Sequence, residues 1–488
     1  MKVILMTPPY HCGMIESAGV WLPLGLVYIA GELKKIPGLE VIIYDAMSLY
    51  HTYEDIARFL EEERPDIIGI SAITASFYSA LEVCRIAKEL SENTFTVLGN
   101  VHPTFMYEEA LKHKEVDVVV IGEGEITFRE LVEALINKED LSKVKGIAYR
   151  KEGQIVKTPD RDFLVNLDEL TPAWDLVDWK IYTYFPKENS RLAIVSSSRG
   201  CFSECAFCSQ RLFWKGSWRA RSPENFVNEL ELLAKKYGVN VVMLSDELPN
   251  RDKNRWEKIL DLLIERDLGM ELLIETRADH IVRDEDILEK YKKAGVTHIY
   301  VGVESASPEV LKEYNKNLEV EISLKALRLI NQLDIVSETS FVVGLPEETK
   351  ESLKNTFEMA LIYDPDMCFF IPLTPWPYTP IYEKYRDFIQ HEDWSQYNLV
   401  DPVIKPKGWN SLKEFKLDLI EYTSRFFLYK FENLHKLTPF KRKFMIDLIN
   451  LLIKNSYLRE RFKEKFSKIL LQKSLKKILK LIPWQNKS

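Results

Sequence analysis

The chain has 488 residues with 46% apolar and 29% charged side chains, and a net charge of −8. That length exceeds one ordinary core, so two or three domains are expected. With 19 Gly and 22 Pro, the composition excludes a collagen-like or low-complexity chain. No apolar run reaches the roughly 18 residues that a membrane span needs. The start MKVILMTPPYH meets a Pro pair too early for a signal-peptide core, so a cytoplasmic location is expected. Charge is unevenly spread: residues 436–488 carry 15 Lys/Arg against 3 Asp/Glu, and the remainder 51 against 71. An acidic body disfavours nucleic acid as a partner.

Residues 1–137 alternate short apolar runs (VILM, EVIIYD, DIIGIS, FTVLG, DVVVIG) with helical patterns near 22–36, 53–64, 75–91 and 126–137. Such alternation predicts a doubly wound, Rossmann-like parallel sheet of the α/β class, with ligands at the carboxyl ends of its strands. Residues 138–190 read as a linker, containing a hairpin (KGIAYRKEGQIVKTP) and a Trp-rich irregular stretch (LTPAWDLVDWKIY). From 191 to 409 six strand patterns recur with a longer stride: LAIVSSS, VNVVMLSDE, MELLIETR, HIYVGVES, TSFVVGL and MCFFIPLT. Six such βα units predict a partial (β/α)6 barrel whose strand-end residues face the active-site mouth. Residues 410–488 read as helical and increasingly basic. Leu471, Leu475, Ile478 and Ile482 form one apolar stripe, with Lys473, Lys476, Lys477 and Lys480 around it. Two readings stand for that stripe: a helix in peripheral contact with an anionic membrane surface, or one docked on the barrel.

The six cysteines fall at 12, 84, 201, 205, 208 and 368. Cys201, Cys205 and Cys208 form C-x3-C-x2-C directly after the first barrel strand, and no His lies within 70 residues of them. Clustering of this kind argues against a disulfide framework and for a metal site. A closed zinc site wants four ligands; three thiolates on a cubane leave one iron open to a small molecule. Cys12, Cys84 and Cys368 read as small buried apolar residues.

This spacing resembles the signature of the radical S-adenosylmethionine (SAM) enzymes. The resemblance implies a [4Fe–4S] cluster whose open iron chelates SAM, and reductive cleavage of SAM to a 5′-deoxyadenosyl radical. It also implies a reducing electron donor of the flavodoxin or ferredoxin type. On that likeness Phe207 is the aromatic residue near the adenine, and Asp246 and Glu247 are acidic contacts to the SAM amine. Arg277 and Glu304, at the ends of the third and fourth strands, resemble contacts to ribose or carboxylate. Ser340 opens the fifth-strand motif SFVVGLPE. Taken singly, each charged residue reads better as a surface ion pair; their shared place at strand ends favours the site.

A doubly wound domain ahead of such a barrel resembles the cobalamin-binding class of the superfamily. The matching pieces are LPLGL, YDAM, GISAIT, GNVHPTF and IGEGE. The likeness places Ser71, Thr74, Gly99, Gly122 and Gly124 along the nucleotide tail of cobalamin, where small residues let backbone approach a bulky ligand. In place of the D-x-H-x-x-G lower-ligand motif stands Asp45-Ala46-Met47. The resemblance therefore implies cobalamin without a lower His. His102 is the remaining candidate for cobalt in that domain, with a loop-capping role as its alternative.

Further strings (LTPAWDLVDWKIY, CSQRLFWKGSWRAR, LTPWPYT, YNLVDPVIKP) resemble the family of anaerobic magnesium-protoporphyrin IX monomethyl ester oxidative cyclases and their close relatives. That implies a hydrophobic small-molecule substrate, a propionate side chain oxidised with oxygen from water, and closure onto the macrocycle. The alternative within the class is a C-methyltransferase acting on a lipid or other hydrophobic substrate. Trp214, Trp218, Trp376, Phe213 and Tyr378 suit a flat substrate or an interdomain lid. Arg219 and Arg221 suit a propionate, SAM, or acidic residues of the first domain.

Overall fold

The computed structural model describes residues 1–12 and 18–454. The first unit comprises β1 (Lys2–Thr7), α1 (Leu24–Leu33), β2 (Glu40–Asp45), α2 (Tyr53–Glu63), β3 (Ile67–Ser71), α3 (Phe77–Leu90) and β4 (Phe95–Gly99). It continues through α4 (Val101–Phe105), α5 (Tyr107–Ala110), β5 (Val118–Val120) and α6 (Glu125–Asn137) to the hairpin β6 (Ile147–Lys151) and β7 (Gln154–Lys157). The sheet order is β2-β1-β3-β4-β5-β6-β7. The first five strands are parallel and the hairpin adds antiparallel through Val118–Tyr149. The hairpin read within the linker is thus part of the first sheet: Ile147, Ala148 and Tyr149 are buried in its core. These strands are almost continuously apolar because helices cover both faces.

The second unit follows the βα stride: β8 (Leu192–Val195), β9 (Ser198–Arg199), α7 (Gln210–Phe213), β10 (Arg219–Ala220), α8 (Pro223–Tyr237), β11 (Val241–Leu244) and α9 (Lys253–Arg266). Then come β12 (Glu271–Arg277), α10 (Ala278–Arg283), α11 (Leu288–Lys293), β13 (Val296–Glu304), α12 (Pro308–Glu313), α13 (Val320–Gln332) and β14 (Val336–Val343). The last are α14 (Lys350–Tyr363), β15 (Met367–Pro372) and α15 (Pro380–Tyr385). All six long strands are parallel, in the sequential order β8-β11-β12-β13-β14-β15. That is the open, partial (β/α)6 barrel. Local sequence sets its helix ends. Ser222 caps α8 ahead of Pro223, Gly238 stops it at φ +66°, and Thr349 with Ser352 forms a capping box on α14.

The units share cores. Trp174, Tyr182 and Tyr184 of the connecting stretch pack with the barrel, and Trp394, Tyr397, Val403 and Ile404, beyond β15, pack with the first sheet's helices. α16 (Leu412–Glu432) and α17 (Pro439–Lys454) close the barrel beyond β15, burying Phe415, Phe426 and Met445. The buried Lys441–Asp366 pair, at 2.7 Å, ties α17 to the barrel. The basic stripe Leu471–Ile482, and the membrane contact expected of it, lies outside the described residues. Among the described residues no helix is long and apolar enough to cross a membrane.

Candidate functional site

The cysteine loop leaves β8 through β9 and returns through β10, which pairs with it at Arg199–Arg219 and Ser198–Ala220. Gly200 opens the loop at φ +102°, where a Cβ would stand 2.1 Å from the Ser217 carbonyl oxygen. Only glycine fits both that conformation and that approach. Three bonds pin the loop from outside. Ala206 N–H donates to Tyr314 O (2.8 Å), Ile381 N–H to Ala206 O (3.2 Å) and Asn315 Nδ2 to Glu204 O (2.8 Å).

The three thiols are free and half-buried, whereas Cys12, Cys84 and Cys368 are buried. Burial raises the Cys205 thiol and pushes Cys208 up to about 12. Without a cation Cys205 and Cys208 are therefore held as thiols, and metal binding must release their protons. Among the described residues no three Cys, His, Asp or Glu side chains converge on a single ion. Three soft donors on one loop fit a cubane, each thiolate on its own iron, with one iron left open.

Two cavities flank this loop. One, about 1880 Å³ including its open mouth, lies between the carboxyl ends of the first sheet and the barrel mouth. Ser71, Thr74, Gly99, Gly122 and Gly124 all line it from the first sheet, and Glu247 lines it from the barrel. Phe213, Trp214, Trp376 and Tyr378 add an aromatic rim. Tyr378 OH lies 3.0 Å from Thr74 Oγ1 and its ring stacks on Phe105, so the loop after β15 closes over the first sheet. The second cavity lies beside Ser203 and Glu204, and Arg277 lines it with Lys316 and Asp279.

His102 does not line the cleft. Its ring is fully buried between Phe77 (4.4 Å) and Trp394 (5.8 Å), and Nδ1 lies 3.3 Å from Thr74 Oγ1. Burial lowers its pKa to about 3. As an expected cobalt contact it is corrected by this placement: α4 turns it into the core while Gly99, Asn100 and Val101 face the cleft.

The strand-end residues divide. Glu247 accepts from Gly200 N–H (2.9 Å) and Trp214 Nε1 (2.6 Å), which couples it to the cysteine loop. Burial raises its carboxyl. Asp246 is fully buried, and both its oxygens are taken by Ser197 N–H, Ser197 Oγ and Ser198 Oγ at 2.6–2.7 Å. It therefore ties β11 to β8 and has no oxygen turned to a ligand. Glu304 sits at φ +62° and pairs with buried Lys316 at 2.7 Å. Arg277 is held by Asp279 (2.9 and 3.1 Å), and its Nη1 donates to Oγ of Ser203 (3.1 Å), which lies between Cys201 and Cys205 in the sequence. Ser340 Oγ meets Tyr300 OH at 2.5 Å inside the barrel. Phe207 packs edge-on to Tyr314 at 5.3 Å, outside both cavities.

Sequence reasoning missed the joint between the units. Arg199, one residue before Gly200, bonds Glu123 (2.8 Å) and Glu125 (2.6 Å), and Arg219 chelates Glu123 through two nitrogens at 3.0 Å. All four side chains are at most 11% exposed. Burial alone would raise the Glu123 carboxyl, but Arg199 and Arg219 outweigh it and hold it below the ordinary value. Arg219 thus bridges to the first unit, one of the alternatives its sequence left open. Arg221 instead pairs with Glu229 inside the barrel. The IGEGE string held the signal: its glycines shape the cleft and its glutamates clamp the cysteine loop.

A B12 binding domain model matches residues 10–132, and a radical SAM superfamily model matches residues 195–360. The chain is 36% identical over 467 residues to the anaerobic magnesium-protoporphyrin IX monomethyl ester cyclase of Rubrivivax gelatinosus, covering 94% of this chain and 84% of that protein. It is 32% identical to an uncharacterized methyltransferase of Pyrococcus horikoshii, covering 86% and 90%. The solved cobalamin-dependent SAM radical enzyme OxsB superposes with a TM-score of 0.71 over 98% of this chain and 78% of its own, at 21% identity, a likeness of fold. The chain is therefore a radical SAM enzyme and belongs to the cobalamin-binding family that includes the anaerobic magnesium-protoporphyrin IX monomethyl ester cyclases.

Proposed function

We propose that the protein is an oxygen-independent oxidative cyclase of a magnesium-protoporphyrin IX monomethyl ester-type tetrapyrrole. The carrying observation is the 36% identity that runs through both units and covers 94% of the chain. The cleft adds a physical reason. It lies between the two units and its rim is aromatic, which suits a flat, greasy ring.

In this reading Cys201, Cys205 and Cys208 hold the [4Fe–4S] cluster. Glu247, Arg277 and Glu304 stand around the SAM site, with Asp246, Ser340 and Phe207 supporting it from behind. Ser71, Thr74, Gly99, Gly122 and Gly124 leave the room that cobalamin needs. When bound, the cluster with SAM would supply a carbon-centred radical, and cobalamin a second redox-active centre. The chain's own residues hold the substrate in the cleft and exclude bulk water: Tyr378 and Trp376 cover it, and the Arg199–Glu123–Arg219 joint fixes one unit against the other. The reductant is an electron donor of the flavodoxin or ferredoxin type.

A second reading, a C-methyltransferase on a lipid or other hydrophobic substrate, is favoured by the 32% identity to the Pyrococcus protein. One experiment separates them. The anaerobically reconstituted protein is incubated with SAM, a reductant and magnesium-protoporphyrin IX monomethyl ester, and the pigment mass is measured. Gain of a carbonyl with loss of hydrogens supports the cyclase. A gained methyl group, with S-adenosylhomocysteine beside 5′-deoxyadenosine, supports the methyltransferase. An untouched pigment with SAM cleaved removes the tetrapyrrole reading.

A further inference from the structure

Tyr378 lines the cleft from the loop after β15, and the buried imidazole of His102 stands behind it in the first unit. Thr74 joins the two. Tyr378 OH lies 3.0 Å from Thr74 Oγ1, and Thr74 Oγ1 lies 3.3 Å from His102 Nδ1. Beyond His102 the line stops. Its Nε2 is buried with no hydrogen-bond partner among the described residues, and the rings of Phe77 and Trp394 pack on the imidazole.

That orphaned nitrogen sets the direction of each bond in the line. Burial keeps the imidazole neutral, so one nitrogen carries a proton and the other a lone pair. A proton on Nε2 would be a buried donor with no acceptor, which folded proteins tolerate less well than an unused lone pair. The proton therefore sits on Nδ1 and is donated to Thr74 Oγ1. Thr74 in turn donates its own proton to the Tyr378 oxygen. The Tyr378 proton is then left over, on a side chain that faces a ligand cleft and whose hydroxyl has no second partner among the described residues.

The strap that carries Tyr378 holds this hydroxyl still. Pro372, Pro375, Pro377 and Pro380 fix φ at four of its nine residues. Thr379 donates to Trp376 O through both N–H (2.9 Å) and Oγ1 (2.7 Å). The phenol ring stacks on Phe105 at 4.6 Å, and Ile381 N–H on Ala206 O ties the far end to the cysteine loop. Among the described residues no cation acts on the hydroxyl; the titratable group that does is Cys208.

We propose that Tyr378 is a hydrogen-bond donor to a carboxamide on the corrin edge of cobalamin, and that His102, acting through Thr74, is the positioning residue that keeps its proton free. The proposal rests on cobalamin binding and is independent of the substrate. The acceptor is uncharged, because no cation stands there to offset a phosphate or carboxylate. It belongs to the corrin because the hydroxyl stands against Thr74, at the sheet end where Ser71, Gly99, Gly122 and Gly124 leave room for the cofactor. Carboxamides edge the corrin ring, and their carbonyls are neutral acceptors. The barrel unit thereby grips a cofactor whose room the first unit makes.

The test is a tryptophan-fluorescence titration of the full-length, anaerobically reconstituted protein at neutral pH. The probes are cobalamin and cobinamide, which keeps the corrin carboxamides but lacks the nucleotide tail. Tyr378→Phe is expected to weaken both by about threefold to tenfold, the worth of one hydrogen bond between neutral groups. Thr74→Val breaks the same bond to the strap but leaves Tyr378 its proton, so it should lose clearly less. The nitrogen-15 spectrum of histidine-labelled protein, with His102 identified by its loss in His102→Gln, should show a neutral ring protonated at Nδ1. Unchanged affinity in Tyr378→Phe overturns the proposal. So does a loss with cobalamin that is absent with cobinamide, which would move the acceptor to the nucleotide tail. Equal losses in Tyr378→Phe and Thr74→Val would reduce the strap to a latch, and a proton on Nε2 would spend the Tyr378 proton on Thr74; either overturns it too. Binding of neither corrinoid by the wild type overturns the cobalamin reading itself.

Discussion

Both parallel sheets turn their carboxyl ends toward the same interdomain region, but they line it with opposite materials. The first sheet offers backbone and small side chains: Ser71, Gly99, Gly122 and Gly124. The barrel mouth offers charge already in partnership: Glu247 with Gly200 N–H and Trp214, Arg277 with Asp279, Glu304 with Lys316. The difference teaches that one topology serves two tasks. A sheet end without side chains makes room, and a large cofactor is then held by shape and main chain. A sheet end with paired charges makes a preorganised polar surface whose groups cannot drift when a ligand arrives. The two meet at Arg199, which stands on the cysteine loop but spends its charge on the glycine loop of the other sheet.

Breaking each side should give different signatures. The largest effect is expected of Cys205→Ala. With one thiolate gone, cluster iron and 5′-deoxyadenosine formation should fall by more than the ~10–100-fold typical of losing a mere supporting group, while cobalamin binding persists. Iron content equal to wild type would remove the cysteine assignment. Next comes Arg199→Met, which leaves buried Glu125 without its cation. Unfolding in denaturant should show a loss of about 3–5 kcal/mol, and both cofactors should bind less well. An unchanged midpoint would mean that the joint is idle. Gly200→Ala should cost about 1–3 kcal/mol for the left-handed conformation and the Ser217 clash, with its functional damage confined to the cluster.

Gly99→Leu sharpens the contrast from the other side. A Cβ at Gly99 meets only Val120, at 3.8 Å, so the fold should tolerate it. The side chain would enter the cleft, and cobalamin affinity should weaken by roughly tenfold, in line with the 1–3 kcal/mol of an overpacked contact. Iron content should match wild type; a parallel loss of iron would show that the two mouths are not separable. The smallest effect is expected of Cys84→Ala and Cys368→Ala, both fully buried away from the loop. Each should cost about 1 kcal/mol in denaturant titration and leave the cluster spectrum unchanged.

What could be read from the chain was whatever period and spacing impose locally. Apolar runs of strand length separated by amphipathic helices predicted the two parallel sheets, because a strand covered on both faces cannot hide its composition. C-x3-C-x2-C predicted the metal loop because three ligands on eight residues need no fold to bring them near one another. The resemblance to cobalamin-binding domains pointed to Ser71, Thr74, Gly99, Gly122 and Gly124, and all five line the cleft. Long-range partnership was not legible. Asp246 reads as a ligand contact until Ser197 and Ser198, on another strand, take both its oxygens. His102, open in the sequence to cobalt or to loop capping, is turned by α4 onto Phe77 and Trp394, the second of which is almost 300 residues away in sequence. Arg199 reads as one more charge until Glu123 and Glu125 enclose it. The sequence by itself determined the elements, the metal loop and the family's chemistry, since each is carried by neighbours along the chain. Only the tertiary structure decided which charges are spent on one another and which remain for a ligand, because burial and pairing depend on residues that the chain keeps far apart.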